Sequence, residues 1–243
     1  MNTAARKLRD ILRDSDNIVF FGGAGVSTES GIPDFRSVDG LYNEAYEYPP
    51  ETILSHSFFI NHTEDFYRFY RDKMLYPDAK PNNAHKALAE LEKRSKVKTV
   101  ITQNVDGLHS EAGSVNVLEL HGSALRNICM SCKACYSLEK ILHSGGVPLC
   151  SCGGIIKPDV VLYEEGLDSN VMVQATKAIY NADVLIVGGT SLNVYPAAGL
   201  VNHYRGDKLV LINKSETPYD KHADLIIREN IGLVLGEAVR ALA

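Results

Sequence analysis

Asn17-Ile18-Val19-Phe20-Phe21-Gly22-Gly23-Ala24-Gly25 is the stretch that decides the fold. Large apolar side chains run on without a break and then stop at glycines, as when a fully buried parallel strand empties into a tight loop. Outward from it the same pattern recurs. Residues 97–101 end in Thr102-Gln103-Asn104-Val105-Asp106, residues 183–187 in Gly188-Gly189-Thr190-Ser191, and residues 208–212 in Asn213, with 223–227 as a fifth candidate strand. Apolar spacing predicts helices over 84–95, 170–181, 196–204 and 233–243. Strands alternating with helices predict an α/β fold, a doubly wound (Rossmann-like) parallel sheet. Ligands of such sheets sit beyond the carboxyl ends of the strands. The first four strand ends all carry small or polar residues, which points to a site there.

The chain has 243 residues, 45% hydrophobic and 23% charged, enough to bury a core without disulfides. A net charge of −5 with no long Lys/Arg run gives no nucleic-acid footprint, and the diffuse acidity suits a partner that presents lysines. Leu8, Ile11 and Leu12 share one face of an amphipathic N-terminal helix that lacks the apolar core of a signal peptide. No apolar run reaches the roughly 18 residues of a membrane span. A cytoplasmic protein with reduced thiols and no membrane partner is expected. Two segments break the α/β rhythm. Residues 37–80, rich in Tyr, Phe and Pro, read as a helical insertion, and residues 124–157 hold every cysteine and read as a zinc-binding module. The Rossmann-like part then comprises 1–36, 81–123 and 158–243.

Gly22-Gly23-Ala24-Gly25-Val26-Ser27-Thr28 is close to a dinucleotide fingerprint, in which glycines admit a pyrophosphate to backbone amides at a helix start. Thr28 stands where the third glycine would be, and no strand ending in an acidic residue follows at the usual distance of about 20 residues. The loop indicates a nucleotide but argues against hydride-transferring dehydrogenases.

Cys129-x2-Cys132 and, 17 residues later, Cys150-x-Cys152 are near the spacing of a four-thiolate zinc ribbon. Four thiolates close the coordination sphere, so such a zinc is structural and stabilises a segment too small to hold its own core. The second pair is one residue shorter than the common C-x-x-C, and Cys135 competes as a ligand on spacing alone.

The loop continues as Glu29-Ser30-Gly31-Ile32-Pro33-Asp34-Phe35-Arg36, and the whole block resembles the signature of the sirtuins, NAD-dependent protein deacylases. TQNVDGLH (102–109), LHG (120–122), GTSLNVYPAA (189–198) and INKSET (212–217) follow in the family's order, so the resemblance spans nearly the whole chain. It implies NAD as co-substrate, a structural Zn(2+), and transfer of an acetyl group from a protein lysine to ADP-ribose with release of nicotinamide. In that reaction the acyl oxygen attacks the ribose C1′ and a base then activates the 2′-hydroxyl. It also implies Cys129, Cys132, Cys150 and Cys152 as the metal ligands, with Cys135 spare.

Residue by residue, the resemblance makes His121 the base, a task suited to a near-neutral imidazole. The other seven histidines read as packing or surface groups. Asn104 is implied to orient the ribose and a water, and Asp106 with the Val105 backbone to hold the nicotinamide carboxamide. Gln103 stands beside them. Phe35 is implied to shield the cationic intermediate, and Arg36 to meet phosphate or ribose. Ala24 and Thr28 line the loop, Gly189, Thr190, Ser191 and Asn213 hold the adenosine end, and Ile231 adds a backbone contact.

Residues 158–165 resemble the family's substrate strand, whose usual F-G-E ending is here Tyr163-Glu164-Glu165. An exposed strand can pair with an acetylated lysine peptide. Val160, Val161, Tyr163 and Val194 are the implied substrate contacts, and Glu164 in place of Gly would add charge favouring basic peptides. Sirtuins that take succinyl or malonyl groups carry Tyr-x-x-Arg in the insertion. After Tyr67 this chain places Tyr70 there, with Arg71 one residue away, so acetyl is expected first. ADP-ribosyl transfer is the rival chemistry. A zinc-ribbon nucleic-acid binder is the rival class, with only Arg126, Lys133, Lys140 and Lys157 in or beside the module to support it. A monomer is expected.

Overall fold

A computed structural model describes residues 3–35 and 48–242. Its frame is a six-stranded, wholly parallel sheet: β1 (Ile18–Gly22), β2 (Val97–Thr102), β3 (Val117–Glu119), β7 (Val184–Gly188), β8 (Lys208–Ile212) and β9 (Leu225–Ile227). The order β3-β2-β1-β7-β8-β9 reverses direction between β1 and β7, which places the crevice for a dinucleotide at their carboxyl ends. All of β1 and β7 is buried, as their unbroken apolar runs require for strands covered on both faces. β3 was absent from the sequence reading. It is only three residues long, too short to show a period.

Helices α1 (Thr3–Asp14), α5 (Asn83–Lys93) and α9 (Ile231–Arg240) cover one face, with Leu8, Leu12, Leu88, Leu91, Val234 and Leu235 in one cluster with Phe20 and Ile186. On the other face, α8 (Ser169–Asn181) and a short tight helix, Ala197–His203, bury Ile179, Leu200 and Val201 against Phe21 and Leu185. The predicted helix over 196–204 is therefore a 3₁₀ segment rather than an α-helix. Asn82 caps α5 by accepting from the Ala84 amide, while its Nδ2 donates to the Val26 carbonyl (2.8 Å) and so ties α5 to the glycine loop.

Most of the remaining elements form a smaller lobe. Short helices α2 (Pro50–Ile53), α3 (His56–Asn61) and α4 (Thr63–Lys73) fall in the first excursion, whereas α6 (Leu108–Glu111), which follows β2, packs on α5 and belongs with the main sheet. The second excursion holds β4 (Gly122–Cys129), β5 (Cys135–Ser137), α7 (Leu138–Leu142) and β6 (Ile156–Val160), with an antiparallel sheet ordered β5-β4-β6. Phe59, Phe66, Tyr67 and Tyr70 share a core with Cys129, Ile141, Cys150 and Ile156. Arg71 donates to the carbonyls of Ile141 (2.9 Å) and Gly146, and Tyr67 to that of Ile156. These contacts knit the helices to the cysteine-bearing segment.

Candidate active site

The carboxyl ends of β1, β2 and β7 open into a cleft of about 1150 Å³, walled on its far side by the smaller lobe. Gly23 and Gly25 have a packing reason beyond any ligand. Their amides donate to the carbonyls of Gly188 (3.2 Å) and Gly189 (2.8 Å), locking the two switch-point loops together. A Cβ on Gly25 would lie 2.8 Å from the Gly189 Cα, and one on Gly189, whose φ is +59°, 2.4 Å from the Val26 nitrogen. Ala24 and Thr28 face the cleft from one loop, and Gly189, Thr190 and Ser191 from the other. Gln103 Nε2 donates to Thr190 Oγ1 (3.0 Å), joining the β2 and β7 ends. Asn213 and Ile231 line the outer end, and Phe35 stands on the small-lobe side.

At the centre, Asn104 Nδ2 donates to Ser27 Oγ (3.0 Å), and Ser27 donates to Asp106 Oδ2 (2.6 Å). The other Asp106 oxygen accepts from the Leu108 amide (2.9 Å). Three polar side chains from two loops are thus fixed relative to one another. His121 Nδ1 lies 2.8 Å from the Gln103 carbonyl oxygen. A carbonyl only accepts, so Nδ1 carries the proton and Nε2 presents a lone pair. Burial holds the His121 pKa below the ordinary imidazole value, partly countered by the Gln103 contact. A neutral imidazole in that tautomer can take a proton. Val105, Val160, Val161, Tyr163 and Val194 line the same cleft, with Tyr163 partly exposed at its mouth.

Away from the cleft, the sulfurs of Cys129, Cys132, Cys150 and Cys152 lie within 4.8 Å of one another, including Cys129–Cys152 at 3.6 Å and Cys132–Cys150 at 3.5 Å. A tetrahedral zinc with bonds of about 2.3 Å spaces its sulfurs about 3.8 Å apart, so the residues fit that ion. Cys135 is outside the cluster, its sulfur 3.9 Å from the Lys133 carbonyl oxygen, and the competition left open by spacing is resolved against it. Tyr136 donates to Cys150 Sγ (2.9 Å), the kind of outer hydrogen bond that orients a metal ligand.

The model of the Sir2 family matches residues 23–196, spanning the glycine loop, the β2 end, His121 and the cysteines. The chain belongs to the Sir2 family. A Clostridium perfringens protein named NAD-dependent protein deacetylase is 59% identical over 243 residues, with 98% of this chain and 100% of that one aligned. A protein of the same name from Clostridium acetobutylicum is 60% identical over 233 residues, covering 94% of this chain and 95% of the relative. Among solved structures, a Sir2 homologue in complex with NAD superposes with a TM-score of 0.87 at 40% identity, over 98% of this chain and 93% of that one. A Sir2 protein with a deacetylated p53 peptide and 3′-O-acetyl-ADP-ribose gives 0.89 at 38% identity, over 98% of each.

Within this Sir2 chain every anticipated catalytic, NAD-contacting and substrate-contacting residue except Arg36 borders the cleft, and the four cysteines gather away from it; Arg36 lies outside the described residues. Two expectations need revision, and the open alternative at Arg71 is disfavoured. The peptide-facing strand ends at Val160, and residues 162–165 form a turn in which Tyr163 makes a single bridge to Ser55. Glu164 is not a loose charge at the mouth, because its carboxylate accepts from the Ser57 amide (2.8 Å) and hydroxyl. Nor does Arg71 line the cleft; its guanidinium is held by two carbonyls of the metal module. Two residues escaped the sequence reading. Ser27 sits inside the signature, and its small hydroxyl beside the glycines was the available signal. Glu29 accepts from the Gly232 amide (2.9 Å) at the start of α9, a contact 203 residues apart that no local pattern announces.

Proposed function

We propose that this chain, an NAD-dependent protein lysine deacetylase of the Sir2 family, divides its work among the residues of the single cleft. NAD supplies the ribose carbon from which nicotinamide departs and the ADP-ribose that receives the acetyl group. His121 Nε2 is the base that takes the proton from the ribose 2′-hydroxyl. The observation that carries this role is the 2.8 Å contact of Nδ1 with the Gln103 carbonyl, which leaves Nε2 unprotonated and aimed from a wall of the cleft.

Asn104 and Asp106, held by Ser27, orient the ribose and the nicotinamide carboxamide, and Val105 adds its backbone. Gln103, Ala24 and Thr28 line the loop side of the cofactor, while Gly189, Thr190, Ser191 and Asn213 receive the adenosine, with Ile231 adding a backbone contact. Phe35 excludes water from the reacting carbon, and Arg36 meets phosphate or the nicotinamide ribose. Val160, Val161, Tyr163 and Val194 flank the acetyl-lysine stem and its peptide. The glycines at the loop crossing, Gly23, Gly25 and Gly189, suit a dinucleotide, as dinucleotide sites at sheet switch points do.

The acyl group is neutral on this reading, with acetyl preferred. Tyr70 is fully buried and Arg71 is engaged elsewhere, so no Tyr–Arg pair is available to an acyl carboxylate among the described residues. Nucleic acid is not the expected partner on this reading, which is supported by the engagement of two of the module's four basic residues, Arg126 with Glu119 and Asp159, and Lys157 with Glu165. No described helix is long and apolar enough to cross a membrane. A monomer in the cytoplasm, with its zinc thiolates kept reduced, completes the reading. Residues 1–36, 81–123 and 158–243 constitute its NAD-binding domain, 37–80 the helical insertion and 124–157 the zinc module.

His121→Ala tests the central role. Turnover of an acetylated peptide should fall by about 10²- to 10⁴-fold, while NAD binding by calorimetry stays within a few-fold of wild type. Normal deacetylation by that variant would remove His121 from the chemistry.

A further inference from the structure

Residues 162–165 form a tight turn closed by a hydrogen bond from the Glu165 amide to the Leu162 carbonyl (3.0 Å). Its third position, Glu164, has φ +75°, the left-handed conformation that such turns reserve for Gly or Asn. A glutamate persists there only when its surroundings hold it. They do so from two sides. The Glu164 carboxylate accepts from the amide and hydroxyl of Ser57, in the first turn of α3. The backbone of the preceding residue is also tied down, with the Tyr163 amide donating to the Leu54 carbonyl (3.0 Å) and the His56 amide donating to the Tyr163 carbonyl (3.0 Å).

Glu165 braces the turn from within. Its carboxylate accepts from the Leu162 amide (2.9 Å) and from Lys157 Nζ (3.0 Å), and meets His56 Nδ1 at 2.8 Å, while Lys157 also donates to the Val160 carbonyl (2.9 Å). Hydrogen bonds from Ser57 keep the Glu164 carboxyl below the ordinary glutamate pKa, so it stays ionised at neutral pH and the bonds are charge-assisted.

We propose that Glu164 is a positioning residue for the protein substrate: it latches the 162–165 turn to α3 and so fixes the cleft wall of Val160, Val161 and Tyr163 before the acetylated peptide arrives. A wall ordered in advance binds an extended peptide more tightly, because less freedom is lost on association. The inference rests on the reading that the peptide lies along residues 160–163.

Glu164→Gly is the informative variant, since glycine suits the positive φ and the turn will still form, now without its latch. In the full-length chain the KM for acetylated peptide should rise about tenfold, the loss expected for a charged hydrogen-bond pair, with kcat and the KM for NAD within about twofold. Glu164→Gln retains an oxygen for the Ser57 amide and should recover most of the affinity. The rise should be equal for peptides flanked by lysines and by glutamates. An unchanged peptide KM in Glu164→Gly would overturn the latch, and so would a rise confined to lysine-flanked peptides, which would make Glu164 a free charge. Hydrogen exchange of the wild type with and without peptide separates this from the reading beneath it. Protection of amides 160–163 together with an unchanged KM defeats the latch alone. Absence of that protection defeats the peptide path and the latch with it.

Discussion

His85 and His109 are the residues whose chemistry is most unlike that of His121. Both are buried beneath the cleft, with ring centroids 4.7 Å apart, and His85 Nδ1 accepts from the Asn82 amide at the α5 cap. Desolvation pushes the His85 pKa down to about 4, with Asp106 partly opposing, and that of His109 to about 3, with the His85 charge adding to the effect. Both are therefore neutral in the folded protein at pH values where the unfolded chain begins to bind protons. Their contribution is complete above the unfolded pKa of about 6.5 and is lost progressively as pH falls towards 4. Urea unfolding between pH 7 and 4.5 should show stability falling by up to about 1.4 kcal/mol per pH unit for each of the two histidines. A slope of half the combined size would mean that one of them is protonated in the native state, and a flat profile that both are. For His121 the lowered pKa predicts a deacetylation rate whose acid limb has its midpoint below pH 6.5.

Among the elements, the two loops at the switch point carry the most weight. Gly25 and Gly189 meet backbone to backbone, and Gly25→Ala would force a methyl group to within 2.8 Å of the Gly189 Cα. That variant should lose about 1–3 kcal/mol of stability, as overpacked sites do, and raise the KM for NAD more than the KM for peptide. A variant with wild-type NAD affinity would show that the loops adjust freely. Much of this level was legible in the sequence. The buried strands announce themselves as apolar runs that end at glycine or polar residues, and the ordered motifs locate the sheet side of the cleft, whereas lining residues such as Met74, Tyr76, Leu138 and Leu142 fall in no motif. Long-range polar ties were not legible: Ser57 to Glu164 and Glu29 to Gly232 join segments with no shared period, and the short β3 carries too few residues for a pattern. Read alone, Glu164 in place of glycine signalled added charge. Only the tertiary partner reveals that the charge is already engaged.

At the scale of the molecule, a two-faced sheet domain is joined to a smaller lobe whose core mixes helical aromatic residues with the segment that bears the cysteines. The zinc site therefore stabilises more than its own loops. Cys150→Ser should release the metal and lower the melting temperature by about 10 °C or more, because structural zinc sites contribute several kcal/mol to folding. Since α4 packs on the same core, the loss should extend to hydrogen-exchange protection of Thr63–Lys73. A zinc-free variant that is fully stable and active would contradict a structural role for the ion.

The deacetylase consumes one dinucleotide for each acetyl group it removes. Purified chain should be incubated with an acetylated lysine peptide, with and without NAD, and the products weighed by mass spectrometry. With NAD, one free lysine, one nicotinamide and one acetyl-ADP-ribose should appear together, and without NAD the peptide should remain acetylated. Deacetylation that proceeds equally well without NAD, or ADP-ribose joined to protein in place of acetyl-ADP-ribose, would contradict that stoichiometry.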